Sequence, residues 1–109
     1  MVFVKVGEIT EVPAGAMKSF PVGENEVLVL NVNGKYYAMN NKCTHMGGDL
    51  SKGTLQGIIL TCPRHGSRFD VTNGKALHGP KFGPIKLKTG DARTYPAQVD
   101  GNAIMVDIG

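Results

Sequence analysis

Four of the five cysteine and histidine residues in this chain fall into two short groups. Cys43-Thr44-His45 forms the first and Cys62-Pro63-Arg64-His65 the second, with sixteen residues between His45 and Cys62. Each group offers one thiol and one imidazole, and glycine follows closely, as Gly47 and Gly48 and then as Gly66. A thiolate is a soft anionic donor, whereas a neutral imidazole brings no charge. One of each from two loops describes a metal site better than a core or a catalytic dyad. Glycine serves the same end, since a backbone without Cβ can approach a metal centre and turn its N–H groups toward it. A disulfide between Cys43 and Cys62 is the plain alternative, but it leaves the paired histidines without a reason for their spacing.

The pattern C-x-H, sixteen residues, C-x-x-H resembles the Rieske family of iron–sulfur proteins. Two longer phrases carry the resemblance: Cys43-Thr44-His45-Met46-Gly47-Gly48-Asp49-Leu50-Ser51 and Cys62-Pro63-Arg64-His65-Gly66-Ser67-Arg68-Phe69-Asp70. It implies a 2Fe–2S cluster with Cys43 and Cys62 on one iron and His45 and His65 on the other. With two neutral ligands, the oxidised cluster is about neutral and the reduced one about one unit negative. Such clusters therefore span roughly −150 to +300 mV, against about −400 mV for plant-type ferredoxins. High-potential relatives add an inter-loop disulfide and two hydroxyl donors. At the matching positions this chain has Gly48 and Arg64 in place of the cysteines, Ser67 as one donor and Phe69 where the tyrosine would stand. The expectation is a low-to-middle potential, raised somewhat by the basic neighbours Lys42, Arg64 and Arg68.

What the resemblance implies about function is a stand-alone one-electron carrier and not an enzyme. Its expected partners are a reductase as donor and a terminal oxygenase as acceptor, with an aromatic-ring dioxygenase as the named case. Two other readings stay open. One is a Rieske subunit of a larger reductase complex, such as the small subunit associated with nitrite reduction. The other is a structural zinc module, since two cysteines and two histidines suit tetrahedral zinc. Zinc sites, however, usually pair like with like and do not repeat Cys–His in each loop.

Length and composition bound these readings. At 109 residues, 41% of them hydrophobic, the chain can bury one modest core. A single domain over residues 1–109 is expected, with a cluster-binding part at approximately 40–85. Fifteen glycines, about double the usual share of roughly 7%, leave little room for long helices, so an all-β, loop-rich small sandwich or barrel is the expected class. No apolar run approaches the ~20 residues of a membrane span, and no signal-peptide profile opens the chain. Cytoplasmic residence is the expectation, where thiols stay reduced and free to bind metal.

The net charge of +3 is unevenly spread. Residues 40–88 carry eight basic groups against two acidic ones, while the flanking stretches are slightly acidic. This reads either as a solvated lysine-rich surface or as a docking face for an acidic partner. Nucleic-acid binding is not expected, because no basic motif is interleaved with aromatics.

The elements that must position the two groups are short strands. Val2 to Val6 and Met17 to Val22 have strand composition, with a loop from Glu8 to Gly15 between them. Glu26 to Val32 is apolar on both alternating faces, as in a strand covered on both sides. Asn33-Gly34 predicts a two-residue hairpin turn, and Lys35 to Met39 returns the chain to the first ligand group. Tyr36 and Tyr37 read as ordinary strand packing. Gly53 and Gly57 are expected to bracket a turn before the strand Ile58 to Thr61, which ends at Cys62. Ser67 to Val71 leads away, Thr72-Asn73-Gly74 turns, and Lys75 to Leu77 returns. His78 to Ile85 resembles the proline-containing loop that covers one side of the cluster in Rieske proteins, and His78 matches no ligand position. A protruding turn is expected at Thr89-Gly90-Asp91, followed by a closing hairpin through Val99–Asn102 into Ala103–Ile108.

Overall fold

The computed structural model describes residues 2–41, 49–63, 66–78, 81–82, 85–86 and 91–108. Its organising strand is β3 (Asn25–Val32), in which Val27, Leu28, Val29 and Leu30 are all fully buried. Successive side chains of a strand point to opposite faces, so four buried residues in a row require cover on both sides. Leu28 and Leu30 enter one apolar cluster, whereas Val27 and Val29 enter another. A middle sheet with two cores is the result.

That sheet has the order β11-β4-β3-β2, with β2 at Met17–Val22, β4 at Lys35–Asn40 and β11 at Thr94–Tyr95. Asn33 and Gly34 both take positive φ (53° and 92°) between the paired residues Val32 and Lys35, which is the expected tight turn. The first core joins the middle sheet, through Leu28, Leu30 and Met39, to Leu50, Leu60, Cys62, Phe69, Val71 and Ala92. Burying a side chain of this size is worth about 1.5–3 kcal/mol, so this cluster anchors the Cys62 region to the middle sheet.

The four-stranded sheet beyond it is β5 (Thr54–Gln56), β6 (Ile59–Thr61), β7 (Arg68–Asp70) and β8 (Ala76–His78), each antiparallel to the next. Gly53 and Gly57 bracket the strand β5 and not a turn. Three residues are too few to show alternation, and their strand character comes from pairing Thr54 with Thr61 and Gln56 with Ile59. The expected turn after β7 is present, with Gly74 at φ +76°.

On the other face, β1 (Phe3–Glu8), β13 (Ala103–Asp107) and β12 (Ala97–Asp100) form a three-stranded sheet over the second core. That core includes Val12, Phe20, Val27, Val29, Ala38, Tyr95, Ile104 and Val106. The closing hairpin is as expected, and β12 begins already at Ala97. The Glu8–Gly15 stretch contains a single 3-10 turn at Ile9–Glu11. Tyr36 packs on this core, and its hydroxyl lies 2.9 Å from the Val12 carbonyl and 3.2 Å from that of Ile9. Tyr37 packs on the first core, so both tyrosines do serve strand packing.

Within the stretch expected as a proline-containing loop, β9 (Lys81–Phe82) and β10 (Ile85–Lys86) pair antiparallel. Most of the expected 89–91 turn lies outside the described residues. Its last residue, Asp91, is tied back by the Ala76 N–H, which donates to Asp91 Oδ1 at 2.9 Å. Among the described residues there is no α-helix, and none is long and apolar enough to cross a membrane.

Candidate metal centre

Cys62 follows β6 directly. Thr61 pairs with Arg68, and the Cys62 N–H donates to the Ser67 carbonyl at 2.7 Å, which carries the β6–β7 ladder one step further. Gly66, just before Ser67, has φ +73°. Cys62 is 1% exposed and sits in the first core beside Leu60 and Phe69. Arg64 and His65 lie outside the described residues.

The first group, Cys43 and His45, also lies outside them, but both flanks of residues 42–48 are described. Upstream, the Asn41 N–H donates to the Glu26 carbonyl at 3.0 Å. Downstream, Asp49 caps a 3-10 turn at Leu50–Lys52 by accepting from the Ser51 N–H at 3.0 Å and from its hydroxyl at 2.5 Å. The Leu50 N–H donates to the Asn41 carbonyl at 2.8 Å, so the two flanks meet. The Ser51 hydroxyl, with help from the Asn41 amide, holds the Asp49 carboxyl below the usual carboxylate range against the opposing effect of burial.

The downstream flank is also brought to Cys62. Leu50 is fully buried in the same cluster as Cys62, and Gly53 backs onto the carbonyl of Thr61. Of the four expected ligands the structure describes Cys62 alone. It brings the downstream flank of the first group against the strand that ends in that cysteine.

Ser67 is fully buried, and its Oγ is the described buried side-chain polar atom with no hydrogen-bond partner. A buried hydroxyl left unpaired costs about 1–3 kcal/mol, so its retention here points to an acceptor that the polypeptide does not supply. Cluster or cysteine sulfur is such an acceptor, and Ser67 lies across the hairpin end from Cys62. These residues fit an iron–sulfur group. Phe69, at the position of the second donor, is fully buried among apolar side chains.

Lys52, Arg68 and Lys75 are exposed, while Lys42 and Arg64 lie outside the described residues. The backbone of His78 pairs with that of Arg68 in β8. Sequence reasoning passed over Asn41, which is 1% exposed although polar. The Asp49-x-Ser51 spacing, a common capping pattern, was the signal for its neighbours.

The Rieske [2Fe-2S] domain family matches residues 2–100, and the chain belongs to that family. Its cofactor is accordingly a Rieske-type 2Fe–2S cluster. The chain is 37% identical over 98 residues to the ferredoxin component of the naphthalene 1,2-dioxygenase system of Pseudomonas aeruginosa, covering 90% of this chain and 88% of that one. The ferredoxin of carbazole 1,9a-dioxygenase from Nocardioides aromaticivorans IC177 superposes with a TM-score of 0.82 at 28% identity, covering 97% of both chains. A chain from a complex of reduced oxygenase and oxidized ferredoxin in carbazole 1,9a-dioxygenase gives 0.75 at 28% identity, covering 95% of this chain and 91% of that one.

Proposed function

We propose that this chain is the ferredoxin of a multi-protein oxygenase system, taking one electron at a time from a reductase and handing it to a terminal aromatic-ring dioxygenase. It is an electron-transfer protein and not the catalyst. The observation that carries the reading is the likeness to separate ferredoxin chains over nearly the whole of both partners, joined to a buried, unpaired Ser67 hydroxyl beside Cys62.

In this reading residues 1–109 form one domain, with the cluster held within about 40–85. Cys43 and Cys62 hold one iron, and His45 and His65 the other. When bound, the cluster supplies one-electron oxidation and reduction. The chain's own residues do the rest. Burial of Cys62 among Leu60, Phe69 and Leu50 keeps water from its sulfur. The Ser67 hydroxyl donates a hydrogen bond to sulfur, which favours the more negative, reduced state. Arg68 and its basic neighbours offer attraction to an acidic partner face, which speeds encounter. Cytoplasmic residence suits thiols that must stay reduced.

The test is purification under exclusion of oxygen, with visible absorption, iron and acid-labile sulfide analysis, and reduction by a dioxygenase reductase. Equal iron and sulfide with reversible bleaching is expected, and electron delivery should support turnover of a dioxygenase. Cys43→Ser and His65→Ala should lose or grossly alter the spectrum, while His78→Ala should leave it nearly unchanged. Stoichiometric zinc without sulfide would overturn the assignment.

A further inference from the structure

The described flanks of residues 42–48 are joined through one side chain, Asn41, whose polar groups are all engaged. Its Nδ2 donates to Asp49 Oδ1 at 2.7 Å and to Glu26 Oε2 at 2.9 Å, and its Oδ1 accepts from the Ser51 N–H at 2.9 Å. Its backbone donates to Glu26 and accepts from Leu50. Two of the side-chain bonds run to carboxylates, and such charge-assisted bonds are roughly twice as strong as neutral ones. The bridge spans three elements: the start of β3, the end of β4 and the capped turn before β5. Only a side-chain amide offers two donors toward the carboxylates and an acceptor toward Ser51, and glutamine would carry that amide one methylene further out.

We propose that Asn41 is a positioning residue for the cluster, fixing the separation of the two ends of residues 42–48 and so the seating of the ligands that this segment carries. The proposal rests on the assignment of Cys43 and His45 given above. It differs from a packing role because the amide's directionality, and not its volume, does the fixing. Aspartate has nearly the same shape, yet it would set a third carboxylate against Glu26 and Asp49. Adding the change Asp49→Asn removes one of those charges while an oxygen at Oδ1 still accepts from Ser51, and the more exposed Glu26 can turn to solvent.

The experiment compares wild type, Asn41→Asp, Asn41→Ser, the Asn41→Asp/Asp49→Asn double variant and Cys43→Ser as cluster-loaded protein. Chelator-driven bleaching, the midpoint potential and the electron paramagnetic resonance spectrum of the reduced form are read. Asn41→Asp should lose its cluster roughly tenfold to a hundredfold faster, the range expected when the support of a metal ligand is removed. Its potential and spectrum should shift as well, and the double variant should recover part of the difference. Asn41→Ser, which adds no charge, should shift in the same direction and serves where Asn41→Asp does not fold. Wild-type bleaching, potential and spectrum in Asn41→Asp or Asn41→Ser, with Cys43→Ser colourless, would overturn the positioning role alone. A lowered melting temperature with an unchanged spectrum and potential would reduce Asn41 to a structural residue. A native spectrum in Cys43→Ser would remove the ligand assignment, and this inference with it.

Discussion

Gly53 lies against the backbone carbonyl of Thr61 so closely that a Cβ at position 53 would overlap the oxygen. The φ of Gly53 is −80°, which any residue adopts, so space and not conformation requires glycine there. The contact joins the turn that follows the first ligand group to the strand that ends at Cys62. Overpacking of this kind typically costs about 1–3 kcal/mol. Gly53→Ala should therefore lower stability in chemical denaturation by that order and speed cluster loss. Gly15→Ala is the control: it is strained by a φ of +82° but has open space around it, and it should leave the cluster's spectrum alone.

Ser67 gives a prediction about the potential. Its hydroxyl is buried without a partner from the described polypeptide, so in loaded protein Ser67→Ala removes a donor to electron-rich sulfur, and the midpoint potential should fall. An unchanged potential in protein-film voltammetry would mean that the hydroxyl does not reach the cluster.

Acid should loosen the flanks of the first ligand group. The Asp49 carboxyl is held below its ordinary value, chiefly by the Ser51 hydroxyl. A group depressed on folding stabilises the folded state above its unfolded value, near 3.9, and that contribution disappears as pH falls through the lower folded value. Stability measured from pH 6 downward should start to drop below about pH 4, and Asp49→Asn should flatten that part of the curve. Glu11 is depressed too, by Lys18 at 3.0 Å, but that pair is exposed. Added salt screens it and separates the two effects.

Much of the architecture was legible because it is local. Four consecutive apolar residues from Val27 to Leu30 announce a strand covered on both faces, and Asn33-Gly34 announces its turn. The closing hairpin is equally plain in its alternation. What stayed hidden depends on partners distant in the chain. The strand Thr54–Gln56 exists because Thr61 and Ile59 lie beside it, and β1 pairs with β13 across almost the whole sequence. Asn41 shows the same limit at the site. Nothing in its immediate neighbours says that Glu26, fifteen residues back, and Asp49, eight residues on, will surround it. Ser67, by contrast, was singled out by its position in the Cys62 phrase, although its complete burial was not.

The pairing of β1 with β13 has a practical meaning for handling the protein. Val2 donates its N–H to Asp107 Oδ1 at 3.0 Å, so the two described extremities emerge side by side. They do so on the sheet whose core lies across the middle layer from Cys62. A fluorescent tag, an immobilisation handle or a fused reductase attached at either extremity would leave from that rear side. A short splice between the extremities, with new ones opened in a turn such as Gly23–Glu24, should give a rearranged chain that still takes up iron and sulfide.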